Sequence, residues 1–176
     1  MQLHRGNLFL VGMPGSGKST LGRLLARRLD KPFYDADAEL ERRLGVSIAV
    51  IFELEGEAGF RDREDAILGE FVASTHIVLA TGGGAVLRPP NRELLKQNGT
   101  VLYLHATPAT LRERTRRSKH RPLLHAPDPY ERLNELYAAR DALYRETADF
   151  VVESDQEQVT RLAQRLEQQL RAAARA

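Results

Sequence analysis

The chain has 176 residues, a formal net charge of +2 and no cysteine. Its length is most simply one domain, 1–176, large enough to bury a sizeable core. Disulfides and thiolate metal sites are excluded, and so small a charge gives no reason to expect nucleic acid as a partner. In chain order, the first element is an apolar run, Leu8-Phe9-Leu10-Val11. Gly12-Met13-Pro14-Gly15-Ser16-Gly17-Lys18-Ser19-Thr20 follows and leads into a helix-like stretch over 21–29. Strand, glycine-rich loop and helix in that order are the context of a phosphate-binding P-loop. Glycine lets the backbone curl until several N–H groups point at one phosphate, and the helix adds its positive end. Gly12, Gly15, Ser16, Gly17 and Thr20 form the candidate cradle. Lys18 is placed to reach the β- and γ-phosphates, and Ser19 to complete a magnesium shell. A nucleoside triphosphate with Mg2+ is the expected ligand.

After a second short run over 32–34 comes Asp35-Ala36-Asp37. Ligands of such sheets sit beyond the carboxyl ends of the strands, where the P-loop also opens. Two carboxylates two positions apart share a face only in extended chain, and here the chain turns into a helix. One can then serve the metal and the other the acceptor. Asp37 equally suits a helix N-cap, since Glu39, Leu40 and Glu41 follow. The third run, 77–80, ends in Thr81-Gly82-Gly83-Gly84, where a P-loop partner strand usually closes on aspartate. That leaves the magnesium-side carboxylate to Asp35, through water. Three successive glycines also let backbone N–H groups come close to a ligand.

Further apolar runs cover 101–105 and 150–152, and amphipathic stretches cover 64–71, 131–144 and 158–170. This alternation predicts a parallel sheet with helices on both faces. Residues 171–176 read as a frayed helix end. Two stretches interrupt the alternation, 36–63 and 112–129. In a phosphoryl-transfer enzyme such insertions hold the second substrate or form a water-excluding lid. The second contains six cations: Arg112, Arg114, Arg116, Arg117, Lys119 and Arg121. They would suit nucleic-acid phosphates, but no aromatic residue is interleaved for base stacking, so a lid over a nucleotide is the stronger reading. The five histidines, His4, His76, His105, His120 and His125, lack metal-ligand spacing and read as surface or loop residues. No apolar run precedes the first strand or approaches membrane-spanning length, so a cytoplasmic location with no membrane partner is expected.

The motifs together resemble the shikimate kinases. The residues that carry the resemblance are the P-loop, Phe33-Tyr34-Asp35-Ala36-Asp37, Phe60-Arg61-Asp62-Arg63-Glu64, Gly82-Gly83-Gly84, Arg121-Pro122-Leu123, and Arg140 with Leu143-Tyr144. Gly45-Val46-Ser47-Ile48, Ile51-Phe52 and Gly56-Glu57 follow the family's habit as well. Ala49-Val50 depart from it, standing where an acidic residue is expected. The resemblance implies a nucleoside-monophosphate-kinase-like fold, with five parallel strands in the order 2-3-1-4-5. It also implies ATP-dependent phosphorylation of the 3-hydroxyl of shikimate, in aromatic amino-acid biosynthesis; a monomer is expected. Asp37 would bind the acceptor hydroxyls and take the proton. Arg61 and Arg140 would hold the carboxylate, Gly83, flanked by Gly82 and Gly84, would donate a backbone hydrogen bond, and Arg121 would approach the transferring phosphate. Arg114, with Thr115, would line the adenine side, and the loop over 154–158 would complete that wall. Without the resemblance, Arg61 reads as a solvated helix-surface partner of its charged neighbours, and Arg140 reads likewise beside Asp141. A gluconate or nucleotide kinase of the same fold is one alternative, and a non-catalytic P-loop regulator is another.

Overall fold

Every side chain of the first strand is buried, which forces the sheet to be covered on both faces. The structure, a computed structural model, describes residues 6–116 and 126–175. Its elements are β1 (Leu8–Val11), α1 (Lys18–Leu29), β2 (Phe33–Asp35), α2 (Ala36–Leu44), α3 (Ile48–Val72), β3 (Val78–Ala80), α4 (Pro89–Asn98), β4 (Thr100–His105), α5 (Pro108–Thr115), α6 (Pro129–Thr147), β5 (Phe150–Glu153) and α7 (Val159–Arg175). All strand pairs are parallel, in the order β2-β3-β1-β4-β5, as expected. Successive side chains of a strand point to opposite faces. Leu8 and Leu10 accordingly pack with Leu21 and Leu25 of α1 and Leu162 and Leu166 of α7. Phe9 and Val11 pack on the other face with Phe60 and Leu68 of α3, Leu95 of α4 and Leu136 of α6. The result is a three-layer α/β fold whose crevice opens at the carboxyl ends of the central strands, where the strand order reverses about β1.

The strands lie where the apolar runs put them, within a residue or two. Helical content exceeds the expectation. The stretch 36–63 is α2 and the first part of α3, and the single expected helix over 64–71 is the far end of that longer element. Gly56, with φ of 70° and ψ of −177°, breaks α3 into two limbs. The break lets the second limb turn Phe60, Arg61, Glu64, Ile67, Leu68 and Phe71 inward. Both α4 and α5 begin with proline at N1, where its fixed φ suits a helix and its missing N–H costs nothing. Residues 171–175 continue α7 in regular helix. Of the expected features, Arg117, Lys119, His120, Arg121, Pro122, Leu123 and His125 lie outside the described residues, as do His4 and Ala176. Among the described residues no helix is long and apolar enough to cross a membrane.

Candidate active site

The loop between β1 and α1 takes its shape from three glycines. Gly12, Gly15 and Gly17 have φ of 152°, 88° and 98°, a region that costs a residue with a Cβ atom dearly. Gly12 is also needed for space, since an added Cβ would lie 2.6 Å from the Leu104 carbonyl oxygen. Gly17 caps α1 with no side-chain bond, so the N–H groups of the first turn face the loop. The Lys18 ammonium donates to the Gly12 and Met13 carbonyls at 2.7 and 3.0 Å and so spans the cradle. Arg114, from α5, braces the loop on its outer side. It donates to Ser16 O at 3.1 Å and to Ser154 Oγ and O, both at 3.0 Å. These bonds tie the P-loop to the loop after β5, the pairing expected for the adenine wall.

The Ser19 hydroxyl donates to Asp35 Oδ2. Asp35 closes β2 and is the N-cap of α2, with Oδ1 accepting from the Ala38 N–H at 3.0 Å. The capping position suggested for Asp37 therefore belongs to Asp35, because β2 runs one residue further than the sequence implied. Released from capping, Asp37 sits in the first turn of α2 and faces Glu64 and the glycine run. Burial of its carboxyl, reinforced by the charges of Glu64 and Asp35 and opposed by Lys18 and Arg61, raises its pKa from 3.8 to about 7. Some of the residue's surface remains open to the cleft. The Glu64 carboxyl is also pushed up by burial, against the pull of Arg61.

Arg61 and Arg140 are not surface cations. They are 6% and 2% exposed, and Glu64 is 4% exposed. Arg61 donates to Glu64 Oε1 at 2.8 Å and to Glu57 Oε1 at 3.3 Å. Arg61 Nε, Glu64 Oε2 and Arg140 Nη1 are buried polar atoms with no hydrogen-bond partner. Leaving such atoms unpaired is costly, so three around one cleft mark a place for a polar ligand. The glycine run between β3 and α4 makes room for these groups. A Cβ on Gly82 would collide with Glu64 Oε2 and lie 2.8 Å from Asp37 Oδ1, and one on Gly84 would collide with the Arg61 guanidinium. One on Gly83 would lie 2.9 Å from Pro14 Cδ.

These elements enclose a cleft of about 570 Å³. Gly15, Gly17, Lys18, Ser19 and Thr20 line its phosphate-loop end, with Arg114 alongside. Asp35, Asp37, Arg61, Gly83, Gly84 and Arg140 line the rest. Gly12, Ser16 and Gly82 are not part of this lining, and Arg121 is outside the described residues. Sequence reading missed the apolar wall of Ile48, Phe52 and Phe60, and gave Glu64 no role of its own. The i, i+3 spacing of Arg61 and Glu64 was the available signal. A second depression of similar volume, beside Arg23, Lys31 and Phe33, shares none of these residues. His105 corrects an expectation: it is 8% exposed, with Nδ1 2.6 Å from Glu153 Oε2 and Nε2 2.7 Å from Tyr137 Oη. It ends β4, where Tyr137 of α6 and Glu153 of β5 close over its ring. His76 is exposed, as expected.

The parallel sheet order, the P-loop on its first strand and the carboxylate–guanidinium cleft beside it define a P-loop kinase of the nucleoside-monophosphate-kinase-like fold. The shikimate kinase family pattern matches residues 14–171. A shikimate kinase of Cupriavidus pinatubonensis is 57% identical over 170 residues, covering 97% of this chain and 88% of that protein. One from Neisseria meningitidis is 58% identical over 154 residues, covering 88% and 91%. The solved shikimate kinase of Acinetobacter baumannii, in complex with shikimate, superposes with a TM-score of 0.92 at 46% identity, covering 96% and 94%. The chain belongs to the shikimate kinase family. A Sinorhizobium meliloti gluconokinase, at 20% identity and a TM-score of 0.55, shares the fold alone.

Proposed function

We propose that the chain transfers the γ-phosphoryl group of ATP to the 3-hydroxyl of shikimate, giving shikimate 3-phosphate and ADP. The observation that carries this reading is the pair of buried guanidinium groups, each with an unpaired nitrogen, set in one cleft with Asp37 and the P-loop. An acceptor with a carboxylate at one end and hydroxyls at the other answers both halves of that arrangement. Arg61 and Arg140 bind the carboxylate, because planar guanidinium forks match it in geometry as well as charge. Asp37 accepts the hydroxyl proton and orients the oxygen toward phosphorus. Lys18 and the P-loop N–H groups stabilise charge on the transferring group, where alignment and neutralisation count for more than covalent chemistry. Arg121, in the proposed lid over 112–129, adds a further cation at the phosphates. The stretch 36–63, which brings Asp37 and the apolar wall, is the acceptor-binding insertion of the single domain.

Ser19 Oγ and the Asp35 carboxylate, already in contact, are a hard-oxygen pair suited to magnesium. Among the described residues no cluster of three or more His, Cys, Asp or Glu side chains could hold an ion. That fits a cation whose remaining ligands are nucleotide phosphates and water. A magnesium ion held there would neutralise charge on the β- and γ-oxygens. Asp35→Asn should accordingly raise the magnesium concentration for half-maximal rate about tenfold, and excess magnesium should restore most of the turnover. Rescue of Asp37→Asn by magnesium in its place would reverse the two assignments.

The deciding experiment is a coupled ADP-release assay across shikimate, gluconate and nucleoside monophosphates. Shikimate should be the preferred acceptor by orders of magnitude in kcat/KM, and a better rate with another acceptor would overturn the reading. Arg61→Lys sharpens the test. Lysine keeps the charge but not the fork, and a hydrogen bond to a charged group contributes about 1.5–3 kcal/mol, so kcat/KM for shikimate should fall tenfold or more. The KM for ATP should hold. An amide analogue of shikimate should lose proportionally less with Arg61→Ala than with wild type, since both changes remove one interaction. Strict additivity would show that Arg61 does not meet the carboxylate.

A further inference from the structure

One buried polar group beside the cleft has no part in the chemistry above: the hydroxyl of Tyr144 on α6. Tyr144 is fully buried, and its Oη donates to the Gly83 carbonyl at 2.5 Å. Its ring lies 4.9 Å from that of Tyr103, whose hydroxyl donates to Asp141 Oδ1 at 2.7 Å. Tyr144 follows Arg140 by four residues, so the two side chains leave the same face of the helix. Both converge on one point, since a Cβ on Gly83 would lie 3.3 Å from Arg140 Nη1.

The glycine run needs a restraint from outside itself. Space forces glycine at 82, 83 and 84, because Glu64, Asp37, Pro14 and Arg61 fill the volumes that side chains would take. Glycine also has the most backbone freedom to lose, so three together make a loose turn unless something holds it. The Gly82 and Gly84 carbonyls accept from Ala85 N and Leu87 N, both at 3.1 Å, within the turn. The Gly83 carbonyl is held by Tyr144 instead. A peptide unit is planar, so fixing that carbonyl also fixes the direction of the Gly84 N–H on its opposite edge. Gly83 and Gly84 both line the cleft. Burial pushes the Tyr144 phenol up to about 12, against the effect of Arg140, so its hydroxyl stays a donor at any working pH.

We propose that Tyr144 is a positioning residue for the acceptor, its hydroxyl locking the Gly83–Gly84 peptide to α6 so that the glycine turn and the Arg140 guanidinium meet the substrate as one rigid unit. The inference rests on the acceptor role given above to Arg140 and the glycine run. Tyr144→Phe removes the hydroxyl and keeps the ring. It should weaken shikimate binding, measured calorimetrically without nucleotide, about tenfold and raise the shikimate KM by the same factor. The kcat and the KM for ATP should stay within about twofold. Tyr103→Phe is the control: it removes a hydroxyl bond to the same helix without touching the glycine run. It should lower the melting temperature comparably and leave the shikimate KM alone. An equal rise in both variants, or none in Tyr144→Phe, would overturn the proposal. Arg140→Ala separates the two levels. A raised shikimate KM there beside an unchanged one in Tyr144→Phe removes only the role of Tyr144, whereas no change in either removes the acceptor reading itself. Amide exchange on the wild-type chain gives an independent measure. The Ala85 N–H, bonded to the Gly82 carbonyl within the turn, should be protected even without ligand, and its exchange at the rate of an open loop would overturn the restraint.

Discussion

Replacing Lys18 with alanine should lower kcat by about three orders of magnitude, roughly 4 kcal/mol of transition-state stabilisation, and leave the melting temperature within a few degrees of wild type. The position itself is the argument. Lys18 is the first residue of α1, a helix with no acidic residue in its first turn. A cation there opposes the helix dipole, so helix stability does not explain it. The ammonium bridges the Gly12 and Met13 carbonyls, bonds it must exchange for phosphate oxygens when it meets nucleotide. Alanine loses those two bonds but relieves the dipole and favours the helix, which keeps the net change in stability small. The lost interaction strengthens as charge moves onto the transferring group, so kcat should fall more than the affinity for ATP. Near-normal turnover in a folded Lys18→Ala protein would remove the P-loop mechanism.

How legible this site was in the sequence depended on the reach of each interaction. Strands of a doubly covered parallel sheet are apolar at nearly every position, so their runs stand out, and all five were placed. The P-loop is equally local: its glycines, lysine and serine act through neighbouring backbone. Helices α4 and α5 were hidden because they are short, at 10 and 8 residues, and each opens on proline, which reads as a breaker until its place at N1 is known. In α3 the inward face changes at Gly56, so no single 3.6-residue stripe runs through it. Arg61 reads as a surface residue because its sequence neighbours are charged, while the backbone that packs against its guanidinium is the distant glycine turn at Gly84. The triple glycine shows the same limit. Sequence reading gave it to ligand approach, and the structure adds a second reason, since Glu64, Asp37 and Arg61 occupy the space its side chains would need. The histidine at 105 likewise revealed nothing of Tyr137 and Glu153, which lie 32 and 48 positions away.

Asp37→Asn should make the protein more stable and nearly inactive, and both effects come from one buried carboxyl. Raising its pKa from 3.8 to about 7 means that the native state holds a proton the unfolded chain has released. Between pH 4 and pH 7 the native state therefore binds more protons than the unfolded one, and stability falls as pH rises through that window. Above pH 7 the cost is complete. A displacement of this size corresponds to at most ~4 kcal/mol, and partial opening to the cleft reduces it to roughly 1–2 kcal/mol. Asparagine carries no charge to desolvate, and its amide can donate to the unpaired Glu64 Oε2. At pH 8, in EDTA and without nucleotide, the variant should melt a few degrees above wild type, with the gap closing toward pH 4. Turnover should fall by about 10²–10⁴, because the amide cannot take the hydroxyl proton. In the wild type, kcat/KM for shikimate should rise as pH passes through about 7 in the free enzyme and level off above it, and the variant's residual rate should lack that limb. A variant that melts below wild type at pH 8 would show that Asp37 is a structural carboxylate, held charged by its neighbours. A kcat within tenfold of wild type would take the proton from Asp37 and leave it only the task of orienting the hydroxyl.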